Sequence, residues 1–165
     1  MSLRVYLSLG SNIADRAANL KQAIAHLGEL GTVVAVSSFY ETEPVENTQQ
    51  PWFLNCAVAL DTDNTPKQLL SAVLKIEREM GRTRSRDEWK GPRIIDIDVI
   101  FFGDSVIQTA GLTIPHPAMH ERRFVLEPLA EIAPDVRHPV LKQTAREMRD
   151  ALPQGPAVHK LLREH

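Results

Sequence analysis

Cys56 is the only cysteine in the chain, so no intrachain disulfide is possible. Its neighbours Phe53, Leu54, Ala57 and Val58 are apolar, which fits a small buried residue better than a nucleophile. The six histidines show no metal-ligand spacing with it, which argues against a zinc site. No run approaches the ~18 apolar residues of a membrane span. The opening M-S-L-R-V-Y-L-S-L-G has Arg4 inside its apolar stretch and no cleavage site, so it reads as a strand and not as a signal peptide. A cytoplasmic protein is the expectation. The net charge of −2 argues against a general nucleic-acid binder. Two kinase signatures are also missing, the Walker A loop and the protein-kinase motif set. There are no repeats and no low-complexity tract. The length of 165 residues favours one domain, residues 1–165, able to bury a core without disulfides or a structural metal.

Against these absences stands residues 91–103, G-P-R-I-I-D-I-D-V-I-F-F-G. A Gly-Pro turn and an arginine lead into a β-branched and aromatic run that contains two aspartates. An unpaired carboxylate in an apolar place costs several kcal/mol, so a buried strand normally excludes it. Asp96 and Asp98 are two residues apart, which on a strand puts both on one face, about 7 Å apart along the chain. Ile95, Ile97, Val99 and Phe101 then form the apolar face, while Ile94 and Ile100 flank the acids. A solvated acidic strand face is the plainer alternative. The segment upstream weakens it. Residues 82–93 hold five bases (Arg82, Arg84, Arg86, Lys90, Arg93) and two acids, a net of +3 in an otherwise acidic chain. Carboxylates that hold Mg²⁺ beside arginines that hold phosphate oxygens read as phosphoryl transfer to or from one small anionic ligand.

The remaining pattern predicts an α+β fold. Residues 3–9 alternate as a first strand and end in Gly10-Ser11-Asn12, a turn signal. Asp15 is a candidate N-cap for a helix over residues 17–30, with Gly31 closing it in a left-handed C′ position. A second strand is expected over residues 32–40, a loop over 41–51 and a third strand over 52–60. Pro66 opens a helix that runs to Gly81. The strand over residues 94–102 completes a β-α-β-β-α-β order, the ferredoxin-like arrangement: a four-stranded antiparallel sheet with two covering helices. A C-terminal extension follows, with an extended stretch at 106–114, short helices at 123–132 and 143–152, and a loosely ordered tail until Val158.

Three further residues draw notice. His116 sits between Pro115 and Pro117, as a structural turn or as a donor to a phosphate. Glu77 lies at the C-terminal end of a helix, against the dipole, which hints at another task such as a ribose hydroxyl. Trp89 lies in a polar loop, where an indole suits stacking on a flat ligand.

Taken together, the motifs resemble the 6-hydroxymethyl-7,8-dihydropterin pyrophosphokinase family. The most specific element is G-P-R-x-[IL]-D-[IL]-D at residues 91–98. Around it, in order, lie L-G-S-N at 9–12, S-S-F-Y-x-T at 37–42, F-L-N at 53–55, I-E at 76–77, G-R-x-R at 81–84, and P-H-P with R-x-F at 115–124. The resemblance implies an ATP-dependent diphosphotransferase of folate synthesis that moves a pyrophosphoryl group to the pterin hydroxymethyl oxygen and releases AMP. It implies two Mg²⁺ ions on Asp96 and Asp98. Arg82, Arg84 and Arg93 would contact the triphosphate with His116 and Arg122, and Glu77 would serve the ribose. The pterin would lie between Phe53 and Phe124, read by Asn55 and by backbone near Thr42 and Pro44. Many members have tryptophan directly before G-P-R. Here Lys90 stands between Trp89 and Gly91, so Trp89, Arg86 and Lys90 are given no role. ATP and the pterin alcohol are the expected partners of a monomer, with no nucleic acid and no membrane. Two alternatives stand beside this reading: another two-metal nucleotide transferase, and a non-catalytic ferredoxin-like binding module.

Overall fold

The computed structural model describes residues 2–43, 51–81, 94–155 and 158–161. In chain order its elements are β1 (Leu3–Ser11), α1 (Arg16–Leu27), β2 (Thr32–Val36), β3 (Tyr40–Thr42), β4 (Phe53–Thr62), α2 (Pro66–Glu79), β5 (Asp96–Phe102), β6 (Ile107–Thr109), β7 (Leu112–Ile114), α3 (Arg123–Ile132), α4 (Ala145–Asp150) and β8 (Val158–Lys160), with a 3-10 turn at Met119–Glu121. Mixed α and β structure around an antiparallel sheet agrees with the expectation from the sequence. The sheet has six strands, however, not four.

Its order is β5-β1-β4-β3-β8, with β2 also paired to β4. Two departures account for the extra strands. The stretch expected as one strand over residues 32–40 is broken at Ser37–Ser38, where the Ser37 side chain bonds backbone groups and Ser38 turns to Glu131. Ser37 Oγ accepts the Ala57 N–H at 2.9 Å and donates to the Ser38 carbonyl at 2.7 Å. The pieces on either side, β2 and β3, pair with successive parts of β4. At the far edge β8 pairs with β3 and adds a strand from Val158, the residue at which the loosely ordered stretch was expected to end.

Alternation sets the two faces. On the first, Val5, Leu7 and Leu9 of β1 meet Cys56, Val58 and Leu60 of β4 and Ile97 and Val99 of β5. Leu20, Ala23 and Leu27 of α1 and Leu69, Val73 and Ile76 of α2 close over them. Each fully buried Leu, Ile or Val is worth about 1.5–3 kcal/mol relative to exposure. On the second face, Tyr6, Ala57 and Phe101 pack under Val125, Leu126 and Leu129 of α3 and Ala145 and Met148 of α4.

The helices begin where local chemistry dictates. Asp15 accepts the Ala18 N–H at 3.1 Å and caps α1. Thr65 and Gln68 form a reciprocal capping box at α2, with Pro66 in its first turn. Thr144 and Glu147 do the same at α4. Helix α1 ends at Leu27, earlier than the periodicity suggests, so Gly31 is not its left-handed cap. Gly31 instead enters β2 beside β4, where a Cβ would come within 2.1 Å of the Asp61 carbonyl oxygen. The extended stretch before Pro115 is a hairpin, β6–β7, that turns through Gly111 at φ 88°.

One expectation about β5 fails for a structural reason. Tyr6 pairs with Phe101 and Leu7 with Val99, which leaves Ile100 as an extra residue, a bulge. The bulge turns Phe101 away from Ile95, Ile97 and Val99 and into the second-face cluster, and Phe102 joins the first face in its place.

Candidate active site

Cross-strand pairing carries polar residues across the second face. Asp98 stands opposite Ser8, and Ser8 opposite Ala57. One step along, Asp96 stands opposite Gly10, Gly10 opposite Asn55, and Asn55 opposite Tyr40. Phe53 pairs with Thr42 two residues further along the same strands. Asp96, Asp98 and Phe53 are half-buried, while Asn55 and Thr42 are buried.

Gly10 makes the row possible. A Cβ there would lie 2.6 Å from the Asn55 side-chain nitrogen and 3.4 Å from Phe53. In the space that glycine leaves, the Asn55 amide is held at both ends. Its Oδ1 accepts the Thr42 hydroxyl at 2.5 Å and its Nδ2 donates to the Leu9 carbonyl at 3.3 Å. An amide has two N–H groups and two lone pairs, so one of each is left for a ligand after these bonds. The end of β1 is tied in as well, because Asn12 donates to the Pro51 carbonyl at 3.1 Å.

The turn after β7 brings His116 beside the acids. Its N–H donates to the Ile100 carbonyl at 3.1 Å, and its Nδ1 accepts the Ala118 N–H at 3.3 Å. Nε2 is therefore the nitrogen left to carry a hydrogen. Burial lowers the His116 pKa below the usual value, the Arg122 charge lowers it further, and Asp96 opposes both. At neutral pH His116 is thus an uncharged donor between a cation and a carboxylate. Arg122 lies over the Phe124 ring, with its guanidinium carbon 5.6 Å from the centroid. Phe124 is half-buried.

Glu77 is placed differently. It is buried on α2, and its Oε2 accepts the N–H of Ile97 at 2.7 Å, the residue between the two acids. Pro44, Arg82, Arg84, Arg86, Trp89, Lys90 and Arg93 lie outside the described residues.

Sequence reading passed over three groups. Gly10 was visible only as part of L-G-S-N. Tyr40 donates to Glu131 Oε1 at 2.6 Å, and Ser38 donates to Oε2 through both N–H and hydroxyl, which pins α3 to β3. Burial opposes ionisation of Glu131, yet the Tyr40 and Ser38 hydrogen bonds keep its pKa below the usual range. Burial and the adjacent carboxylate push the Tyr40 phenol up. The third group is Arg123, discussed below.

Whether the acids suit a metal can be judged from the donor set. Among the described residues no three His, Cys, Asp or Glu side chains converge as a metal cage. Two carboxylates on one strand face leave most of an octahedron to water and substrate oxygens. That is the donor set of a substrate-completed Mg²⁺ site and not of a closed structural one. Paired strand acids, an uncharged histidine and an arginine over a half-buried aromatic ring, on an antiparallel sheet, are groups suited to a phosphate next to a flat ring.

The comparisons name the family. Residues 6–134 match the model for 7,8-dihydro-6-hydroxymethylpterin-pyrophosphokinase, and the chain belongs to that family. Its role is that of a pyrophosphokinase in folate biosynthesis. It is 51% identical over 135 residues to a 2-amino-4-hydroxy-6-hydroxymethyldihydropteridine pyrophosphokinase of Methylorubrum extorquens, covering 81% of this chain and 84% of that one. Its Bacillus subtilis counterpart is 49% identical over 133 residues, covering 79% and 78%. The Folic acid synthesis protein FOL1 of Dictyostelium discoideum is 40% identical over 157 residues, but this chain spans only 24% of its length. Among solved structures, wild-type Plasmodium falciparum HPPK-DHPS superposes with a TM-score of 0.67 at 20% identity, over 90% of this chain and 43% of that one. At that identity the likeness speaks for the fold. No described helix is long and apolar enough to cross a membrane.

Proposed function

We propose that this chain, as one pyrophosphokinase domain, transfers the pyrophosphoryl group of ATP to the hydroxymethyl oxygen of 6-hydroxymethyl-7,8-dihydropterin and releases AMP. The observation that carries the reading is the placement of Asp96 and Asp98 on one face of β5, with Asp96 in the cross-strand row of Gly10 and Asn55 and Asp98 in the neighbouring row of Ser8 and Ala57. Asp96 and Asp98 would hold two Mg²⁺ ions. Bound there, the ions supply charge neutralisation for the phosphate oxygens. His116, through its free Nε2–H, and Arg122 would bind the same phosphates, together with Arg82, Arg84 and Arg93. Glu77 would act first on the protein itself, holding the backbone between the two acids, and would meet a ribose hydroxyl only at the margin of the site.

On the other side of Gly10, Phe53 and Phe124 would sandwich the ring. The amide of Asn55, oriented by Thr42, would read the ring's polar edge, with backbone near Thr42 and Pro44. Transfer of this kind needs alignment and charge neutralisation more than covalent help from the protein. We read the sheet as a ferredoxin-like βαββαβ core with its second strand broken and β8 added. The enzyme is proposed to act as a cytoplasmic monomer on two small substrates.

Incubation with ATP, Mg²⁺ and the pterin alcohol tests this. AMP and the pterin diphosphate are the expected products, and a chelator should stop their formation. Free pyrophosphate with a nucleotidylated pterin would point instead to nucleotidyl transfer.

A further inference from the structure

Arg123 is the middle residue of the R-x-F motif, and neither the sequence nor the proposed chemistry gives it a task. Its two terminal nitrogens are nonetheless both engaged. Nη1 donates to Glu127 Oε2 at 3.1 Å, and Nη2 donates to the carbonyls of Leu152 and Pro153 at 3.3 and 3.2 Å. The i,i+4 pair alone would be worth only a few tenths of a kcal/mol. The two carbonyls are different, because they belong to the chain leaving α4. Between that chain and the start of α3 lies a cavity of about 160 Å³. Thr42, Arg122, Phe124, Leu152, Pro153 and Val158 are among the residues that line it.

The same chain then continues into β8. Val158 pairs with Thr42, and the Leu161 N–H donates to the Phe39 carbonyl at 2.8 Å. Thr42 is the residue that fixes Asn55. Residues 152–153, held by Arg123, therefore share a cavity with Val158 and Thr42, and Thr42 fixes the amide proposed to read the ring.

We infer that Arg123 is a positioning residue for the heterocycle site: it latches the chain after α4 to α3 and so holds the lining that residues 152–153 share with Phe124, Thr42 and Val158. This rests on the pterin reading of the site. It requires arginine in particular. Gripping a carboxylate and two carbonyls together needs the planar fork of guanidinium, whereas a lysine ammonium is a point donor on a flexible stem.

The test compares wild type with Arg123→Leu and Arg123→Lys. In steady-state kinetics, Arg123→Leu should raise KM for the pterin alcohol about tenfold while kcat and KM for ATP stay within about twofold. Arg123→Lys should recover part of the loss. In hydrogen exchange on the protein alone, the amides of residues 158–161 should exchange faster in Arg123→Leu than in wild type. Unchanged KM for the pterin alcohol, or an equal loss in every kinetic constant, would overturn the proposal. If Arg123→Leu does not fold, Arg123→Met, which keeps the stem and removes every donor, is read in the same way. Wild-type protein that makes no pterin diphosphate would sink the pyrophosphokinase reading. The exchange measurement still decides the latch in that case, and unchanged exchange would refute it.

Discussion

The two faces of this sheet are built from the same strands and have opposite tasks. Leu7 and Ser8 are neighbours on β1, and so are Ile97 and Asp98 on β5. The first of each pair enters the core under α1 and α2. The second turns to the other face. A strand gives this separation at no cost, because successive side chains point to opposite sides. The first face holds β5 in place, so the open face, the part of the second face that lies outside the α3 and α4 cluster, can carry charge that no core would accept. Stability and chemistry should therefore respond to different substitutions only one residue apart.

The strongest test of that separation is Asp98→Ala. Turnover should fall ~10³-fold, which corresponds to roughly 4 kcal/mol in the barrier. The melting temperature should hold, because Asp98 is half-buried on the open face and packs in neither core cluster. Near-normal turnover would break the assignment of the acids. The matching change on the first face is Leu7→Ala, at a side chain only 1% exposed. It should cost about 3 kcal/mol in urea unfolding through lost burial and a cavity. The folded fraction should keep the wild-type kcat. If instead kcat fell as steeply as for Asp98→Ala, the faces would not be independent.

The elements that were legible in the sequence are those set by neighbours along the chain. Pro66 announces the first turn of α2, and α3 starts and ends where its pattern places it. The acid pair was legible because charge inside an apolar strand is uncommon. Other features depend on partners far away. The bulge at Ile100 arises only against Tyr6 and Leu7. The break between β2 and β3 depends on Ser37 reaching Ala57. Three residues of β8 carry too little pattern to announce a strand, and they form one because β3 offers an edge. The need for glycine at position 31 comes from the Asp61 carbonyl, not from helix termination.

The site has the same division. Asn55 and Phe53 could be picked out as motif residues, but the clearance at Gly10 appears only once β1 and β4 are paired. Gly10→Ala therefore gives a smaller, sharper test within the open face. The new Cβ would meet Asn55 Nδ2, the movable end of a side chain, rather than backbone. Asn55 should yield and lose its bond to Leu9 or Thr42. KM for the pterin alcohol should rise about tenfold, equivalent to about 1.4 kcal/mol, with KM for ATP unchanged. An unchanged KM would show that the orientation of Asn55 does not matter to the ring.

The smallest expected effect is one of pH, and it too is assigned to the second face. His116 and His138 both have pKa values lowered, first by burial, then by Arg122 in the one case and His120 in the other. Asp96 partly offsets the shift at His116. His138 packs edge-on against Phe101, and its Nδ1 accepts the N–H groups of Val140 and Leu141. Protonation at that nitrogen would forfeit both bonds. A base with a lower pKa folded than unfolded binds its proton more readily in the unfolded chain. Above the usual value of about 6.5 both states are neutral and the two residues contribute no pH dependence. As pH falls through 6.5 toward the folded pKa values, the unfolded state gains the proton first and stability declines. Thermal unfolding between pH 8 and 5.5 should show a falling midpoint, well above the range in which Glu131 and Glu147, both held low, begin to protonate. The double variant His116→Asn/His138→Asn keeps a side-chain acceptor for the same backbone N–H groups and removes the titration. Its midpoint should be flatter over that window, and a slope equal to wild type would move the pH sensitivity away from the second face.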